Sequence, residues 1–251
     1  MLRQSPLHEL FSTQVPAYAA GPDGLLTVPY LVRLLQEAAM RNTVRLKISS
    51  PELMEAEGLS WILRQQRITI QRWPRMNEAI DILTAPTGFA RGLLTYRDFH
   101  VLDANDQPII STVSEWLLMD VGSRKLRPIP DRILALQSDL APAAAHLERP
   151  KIKLHNPTVV DNSTTTKVSY GMLDFNGHLT NPVFPELMLE PLGDTFLSNR
   201  KATEITIFFQ AEARYGDELT AEIGAGRDGG TAHCLKRGEE TLARMLTKWD
   251  A

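Results

Sequence analysis

Cysteine occurs once, at Cys234, so no disulfide can close within the chain; that fits a reducing compartment. No uncharged apolar run reaches the ~18 residues a spanning helix needs, so no membrane span is expected. Neither sign of charge dominates. Lys and Arg number 27 against 30 Asp and Glu, giving a net charge of −3 and a pI near 6.1, which gives no reason to expect a nucleic-acid partner. His8, His100, His155 and His233 are scattered without metal-ligand spacing. There is no phosphate-binding glycine loop and no nucleophile elbow. No metal and no organic cofactor is therefore expected. The opening residues, Met1 to Pro6, lack the apolar core of a signal peptide and the basic, Ser-rich stretch of a transit peptide. The expectation is a soluble cytoplasmic protein.

What is present reads as a folded chain. Its 251 residues are 43% hydrophobic and 23% charged, far from the composition of disorder and enough for one large domain or two small ones. Glu9 to Val15 reads as a strand and Gly21 to Gly24 as a loop. A helix follows, capped by Thr27 with Pro29 in its first turn, and Leu31, Leu34, Leu35 and Ala38 form its apolar stripe. Segments near 60–72, 78–85, 90–101 and 109–119 are β-rich, with a hairpin turn at Ala104-Asn105-Asp106. Residues 134–152 have no clear period and read as a linker. Then the order repeats: strand at Thr164 to Tyr170, loop at Asp174 to His178, helix from Thr180 or Asn181 with Pro182 in its first turn. Strands follow at 203–212, 218–225, 231–236 and 241–249. Gly24-Leu25-Leu26-Thr27-Val28-Pro29 resembles Gly177-His178-Leu179-Thr180-Asn181-Pro182 at a constant offset of 153 residues. The reading is a duplicated α+β unit, with halves at 1–133 and 153–251 joined by 134–152.

The halves differ where chemistry is expected. At the same offset, Asp174 stands opposite Gly21, Asn176 opposite Asp23 and His178 opposite Leu25. Shared residues serve the shared fold, so polar residues confined to one half need another reason. In an extended stretch Asp174, Asn176 and His178 point the same way. Histidine moves protons near neutral pH, a carboxylate orients it, an amide positions water or a carbonyl, and the free N–H groups of the following helix can meet an oxyanion. On pattern alone, the same residues also describe a polar turn before a helix.

Asp174-Phe175-Asn176-Gly177-His178-Leu179-Thr180-Asn181 resembles the Asp-x-Asn-x-His-x-Asn-Asn signature of the fatty acyl–acyl carrier protein thioesterases. Further blocks agree in order: Leu35 to Ala39, Gly58 to Leu63, Arg72-Trp73-Pro74-Arg75, Ser114-Glu115-Trp116 through Met119-Asp120, Arg124-Lys125 and Ile129-Pro130. The resemblance implies a tandem hot-dog fold of class α+β, two curved antiparallel sheets each wrapped around a central helix. It also implies hydrolysis of an acyl-carrier thioester by Asp174, Asn176, His178 and Glu212, with Glu212 or His178 activating water. Ala213 stands where the family carries cysteine after that glutamate. The acyl tail is expected in the first half beneath the helix at 28–42, with Ser60 and Trp61 near its wall. Arg64, Arg67, Arg72 and Arg75 form a run that offers either a solvated strand face or a landing site for the acidic carrier. Competing readings are an acyl-CoA thioesterase and a non-catalytic acyl-binding module. A homodimer is left open.

Overall fold

In the computed structural model, which describes residues 5–151, 153–227 and 229–250, the same run of elements occurs twice. The first run is strand β1 (Glu9–Gln14), a 3-10 turn at Ala17–Ala19, helices α1 (Val28–Arg45) and α2 (Ser50–Glu57), then strands β2 (Leu59–Ile70), β3 (Ala79–Ala90), β4 (Leu94–Leu102), β5 (Pro108–Asp120) and β6 (Leu126–Arg127). Helix α3 (Asp131–Leu134) leads out of it. The second run is β7 (Asn162–Lys167), a 3-10 turn at Tyr170–Met172, α4 (Val183–Leu189), α5 (Asp194–Asn199), then β8 (Ala202–Phe209), β9 (Glu218–Ala225), β10 (Thr231–Arg237) and β11 (Glu240–Trp249). The sequence readings of residues 1–4 and of residue 152 lie outside the described residues.

Local chemistry sets the unequal helices. In α1, Pro29 occupies the first turn, and Leu31, Val32, Leu35, Ala38, Ala39 and Asn42 are buried at helical spacing. Helix α4 has 7 residues against 18 in α1. Pro191 and Gly193 follow it closely, and proline cannot extend the donor ladder. Helix α2 adds to the elements expected from the sequence, and its signal is local. The Ser49 side chain accepts from Glu52 N–H, and the Glu52 carboxylate accepts from Ser49 N–H at 3.0 Å, a capping box. Gly58 ends the helix at φ 66, a left-handed conformation that glycine adopts without strain.

The strand order is β1-β3-β4-β5-β2-β8-β11-β10-β9-β7, with β6 beside β5. Read inward from either edge, the two halves have the same order. They meet where β2 pairs antiparallel with β8, Gln66 opposite Ile207 and Ile68 opposite Ile205. The two expected sheets thus run into one 11-stranded sheet. Under α1 the sheet presents Ile68, Ile82, Phe99 and Ile110; under α4 it presents Ile205, Ile207, Leu235 and Met245, and all belong to one apolar cluster. A smaller cluster of Leu53, Leu59, Leu118 and Ile133 lies under α2 and α3. The connector is pinned to the sheet: Asp98 accepts from Leu147 N–H at 2.8 Å and from Arg149 Nη1 at 2.9 Å.

Strand β8 stops at Phe209, three residues short of the predicted end, because the Gln210 and Ala211 N–H groups turn to Leu242 O. Glu212 therefore sits on a loop, and strand alternation does not place it.

Candidate active site

The loop before α4 is built around Asp174. Its N–H donates to His178 O at 2.8 Å, and Gly177 N–H donates to Asp174 O at 3.0 Å. Its carboxylate Oδ1 accepts from Asn176 N–H at 2.8 Å and His178 N–H at 3.1 Å. Gly177 makes the turn at φ 75. Asp174 thus clamps the loop backbone, where the sequence suggested a carboxylate aimed at the His178 ring.

The partner of His178 comes from across the fold. Leu179 N–H donates to Ala213 O at 2.8 Å, and His178 forms a bridge with Arg214. Lacing residues 178–179 to 213–214 brings Glu212 alongside, and its Oε2 lies 3.2 Å from His178 Nε2. The same carboxylate is ion-paired with Arg124, which arrives from the turn after β5. Arg124 has φ 59, and that turn is held by Ser123 N–H on Asp120 Oδ1 at 2.8 Å and Arg124 N–H on Asp120 O at 2.8 Å. A non-glycine residue in this conformation is uncommon. Arg124 is not among the site residues expected from the sequence, where its one signal is the Arg124-Lys125 block of the resemblance.

Asp174, Phe175, Asn176 and Asn181 also form part of the wall of a cavity of about 110 Å³ in the first half. Its remaining wall includes Ala39, Met40, Trp61, Phe89, Trp116 and Ile133. Trp61 is on the cavity side, its Nε1 donating to Ile48 O at 2.8 Å. Ser60 is not in the wall. Its neighbour relation to Trp61 puts it on the opposite sheet face, paired with Met119. Arg97 lines the cavity too. Burial pulls its pKa down to about 10, and its Nη1 donates to Asn42 Oδ1 at 2.8 Å and Thr84 Oγ1 at 3.2 Å.

Two expectations need correction. At the helix N-terminus Pro182 has no N–H, and the Val183 and Phe184 N–H groups donate to Thr180 O and Asn181 O, so these three positions offer an oxyanion no donor. The Asn176, His178 and Leu179 N–H groups are also engaged. The arginine run is largely spent inside the molecule. Arg64 donates to Glu115 at 2.7 Å, Arg67 to Glu204 at 2.7 Å and Arg72 to Glu78 at 2.6 Å. The acids lie on other strands or turns, so the run looked acid-free in sequence.

Ala213 is fully buried. Cys234 is also buried, and burial, together with its bond to Glu222 at 3.3 Å, pushes its thiol up to about 12; it is inert as a nucleophile at neutral pH. Among the described residues no cluster of side chains suits a metal ion.

Two consecutive sheet-and-helix units of like strand order, with a polar cluster on one of two equivalent loops, define a double hot-dog protein. The acyl-ACP thioesterase N-terminal domain model matches residues 10–137 and the C-terminal domain model residues 155–251. The chain belongs to the acyl-ACP thioesterase family. It is 21% identical over 256 residues to a chloroplastic dodecanoyl-[acyl-carrier-protein] hydrolase of Cinnamomum camphora, covering 94% of this chain and 65% of that protein. It is 23% identical over 233 residues to a chloroplastic oleoyl-acyl carrier protein thioesterase of Coriandrum sativum, covering 87% and 63%. The chain thus spans under two thirds of the length of these relatives. In fold it matches the 12:0-ACP thioesterase of Umbellularia californica (TM-score 0.86, 18% identity, 97% of each chain). It also matches an acyl-ACP thioesterase of Bacteroides thetaiotaomicron (TM-score 0.84, 20% identity, 97% of this chain and 98% of that one).

Proposed function

We propose that the chain hydrolyses the thioester of a fatty acyl group borne by acyl carrier protein, releasing the free fatty acid and the carrier thiol. One observation carries the reading: the loop that holds His178 against Glu212 at 3.2 Å also forms part of the wall of an apolar cavity through Asp174 and Asn176. An alkyl chain filling that cavity delivers its carbonyl to the polar pair. The His178–Glu212 pair takes a proton from water as the water oxygen attacks the carbonyl carbon. The tetrahedral intermediate collapses with cleavage of the C–S bond, and the proton passes to the departing thiolate. With the Asn176, His178 and Leu179 N–H groups engaged, the Asn176 side-chain amide and Arg124 stabilise the oxyanion. Asp174 keeps the loop in shape.

The carrier is the expected partner because exposed cations that form no close ion pair among the described residues lie beside the site residues in the chain. Lys125 and Arg127 follow Arg124, and Arg214 flanks His178. These replace Arg64 and Arg67 as the landing surface. The test is turnover on three substrates of one acyl length: carrier thioester, CoA thioester and a short carrier-free thioester. A higher kcat/KM for the carrier substrate is expected. Equal values for carrier and CoA would favour the CoA reading. Binding of all three without hydrolysis would make the chain a non-catalytic acyl-binding module.

A further inference from the structure

A second, larger cavity of about 520 Å³ shares no lining residue with the first, and it is the internal copy of the first. Asp174, Phe175, Asn176 and Asn181 line the first cavity; the residues 153 positions earlier, Gly21, Pro22, Asp23 and Val28, all line the second. The loops are built alike. Gly21 N–H donates to Leu25 O at 2.9 Å, as Asp174 N–H does to His178 O at 2.8 Å. Bridges join Ala20 with Leu26 and Leu173 with Leu179, and Leu25 with Arg75 and His178 with Arg214. Arg75 and Arg214 open equivalent turns, each donating its N–H to an acid three residues on at 2.9 Å. Two residues before each arginine stand Trp73 and Glu212, so Trp73 takes the place of Glu212 as Leu25 takes that of His178.

The reacting groups are thus replaced by apolar ones while the scaffold and the space remain. Leu26, Tyr30, Leu189, Leu197 and Trp249 extend the apolar wall. Its cations are Arg33, Arg200 and Lys201, and its acids besides Asp23 are Glu186, Glu190 and Asp194. Lys201 is ion-paired with Asp23. Arg33 is exposed, stacks on the Tyr30 ring at 5.5 Å and has no acid partner among the described residues.

We propose that this cavity binds a free long-chain fatty acid without turning it over, the alkyl chain against Leu25, Trp73 and Trp249 and the carboxylate at Arg33. The choice of occupant rests on the proposed function, whose product is a fatty acid. The site itself rests on the duplicated geometry.

The chain has four tryptophans: Trp61 and Trp116 line the first cavity, Trp73 and Trp249 the second. The experiment counts bound fatty acid by equilibrium dialysis in the parent protein and in Leu25→Glu, which sets a carboxylate in the second cavity. One fewer molecule per chain in the variant is expected, with thioester turnover within about twofold of the parent. Equal counts overturn the site. The difference does not depend on whether the first cavity holds product, so failure of the hydrolytic reading, seen as absent turnover, stays separate. Should Leu25→Glu not fold, a mid-chain brominated fatty acid added to Trp61→Phe/Trp116→Phe reads the same question. Saturable quenching of the remaining indoles, weakened about tenfold or more by Arg33→Glu, is expected. Absence of quenching overturns the site, and quenching indifferent to Arg33→Glu overturns the carboxylate assignment.

Discussion

The loops at 21–25 and 174–178 have nearly the same backbone and opposite chemistry. Both turn at a glycine, φ 73 at Gly24 and φ 75 at Gly177. Each uses an aspartate side chain to hold its own backbone: Asp23 takes Leu25 N–H at 3.0 Å, and Asp174 takes two N–H groups. Burial works against ionisation of Asp23, but Lys201 and the Leu25 N–H outweigh it and hold its carboxyl below the usual range. The first loop therefore ends in an internal ion pair. The second brings His178 to the Glu212 carboxylate, beside loop residues that line a cavity. A duplicated fold can keep one copy for chemistry and release the other from it, because the scaffold contacts are mostly backbone hydrogen bonds that tolerate side-chain change.

The largest expected effect tests that division directly. His178→Ala and Glu212→Ala should each lower kcat by about 10²–10⁴-fold while circular dichroism and thermal unfolding stay near those of the parent. Arg124→Met, which removes the partner of Glu212, should lower kcat by roughly tenfold or more and leave KM less affected. Near-parental kcat in all three folded proteins would erase the functional difference between the loops.

A second contrast lies beneath the helices. The first half buries Arg97 against Asn42 of α1; the second buries His233, with Met188 O at 2.7 Å and Thr247 Oγ1 at 2.8 Å from its ring nitrogens. Burial holds the His233 pKa down to about 4, so the ring is neutral in the folded protein at neutral pH. Between pH 6.5 and 4 the unfolded chain binds a proton that the folded chain refuses. Stability should therefore fall as pH falls through that window, by about 3 kcal/mol at its lower end. Denaturant titrations of the parent and His233→Gln at pH 7 and pH 4.5 measure this. The parent should lose more stability than the variant, and equal losses would remove His233 as the cause.

Smaller effects are expected at the surface. Lys125→Glu/Arg127→Glu/Arg214→Glu should raise KM for a carrier thioester several-fold at low salt and leave a short carrier-free thioester nearly unchanged. Added salt should blunt the difference. Equal damage to both substrates would place these cations in the chemistry. The smallest effect belongs to the silent loop: Asp23→Ala should change turnover less than about twofold. A loss comparable to that of His178→Ala would mean that both loops act.

The sequence by itself determined the duplication, the polar loop that sets the two halves apart and most of the strands, because these are written in local signals: a 153-residue offset, alternating apolar positions, and glycine and proline at turns. The capping box of Ser49 and Glu52 is local in the same way and marks the start of α2. Only the tertiary structure decided what meets what. Glu212 reaches His178 because residues 178–179 and 213–214 lace together, and Arg124 reaches Glu212 across more than 80 positions of chain. Ser60 and Trp61 part company because neighbouring strand residues face opposite sides of the sheet. Arg64 and Arg67 lose their role as a free cationic patch because their acids, Glu115 and Glu204, come from paired strands 51 and 137 residues away. Ion pairs and catalytic contacts depend on distances in space, and those are set by sheet register and loop lacing between distant segments, which no local pattern records.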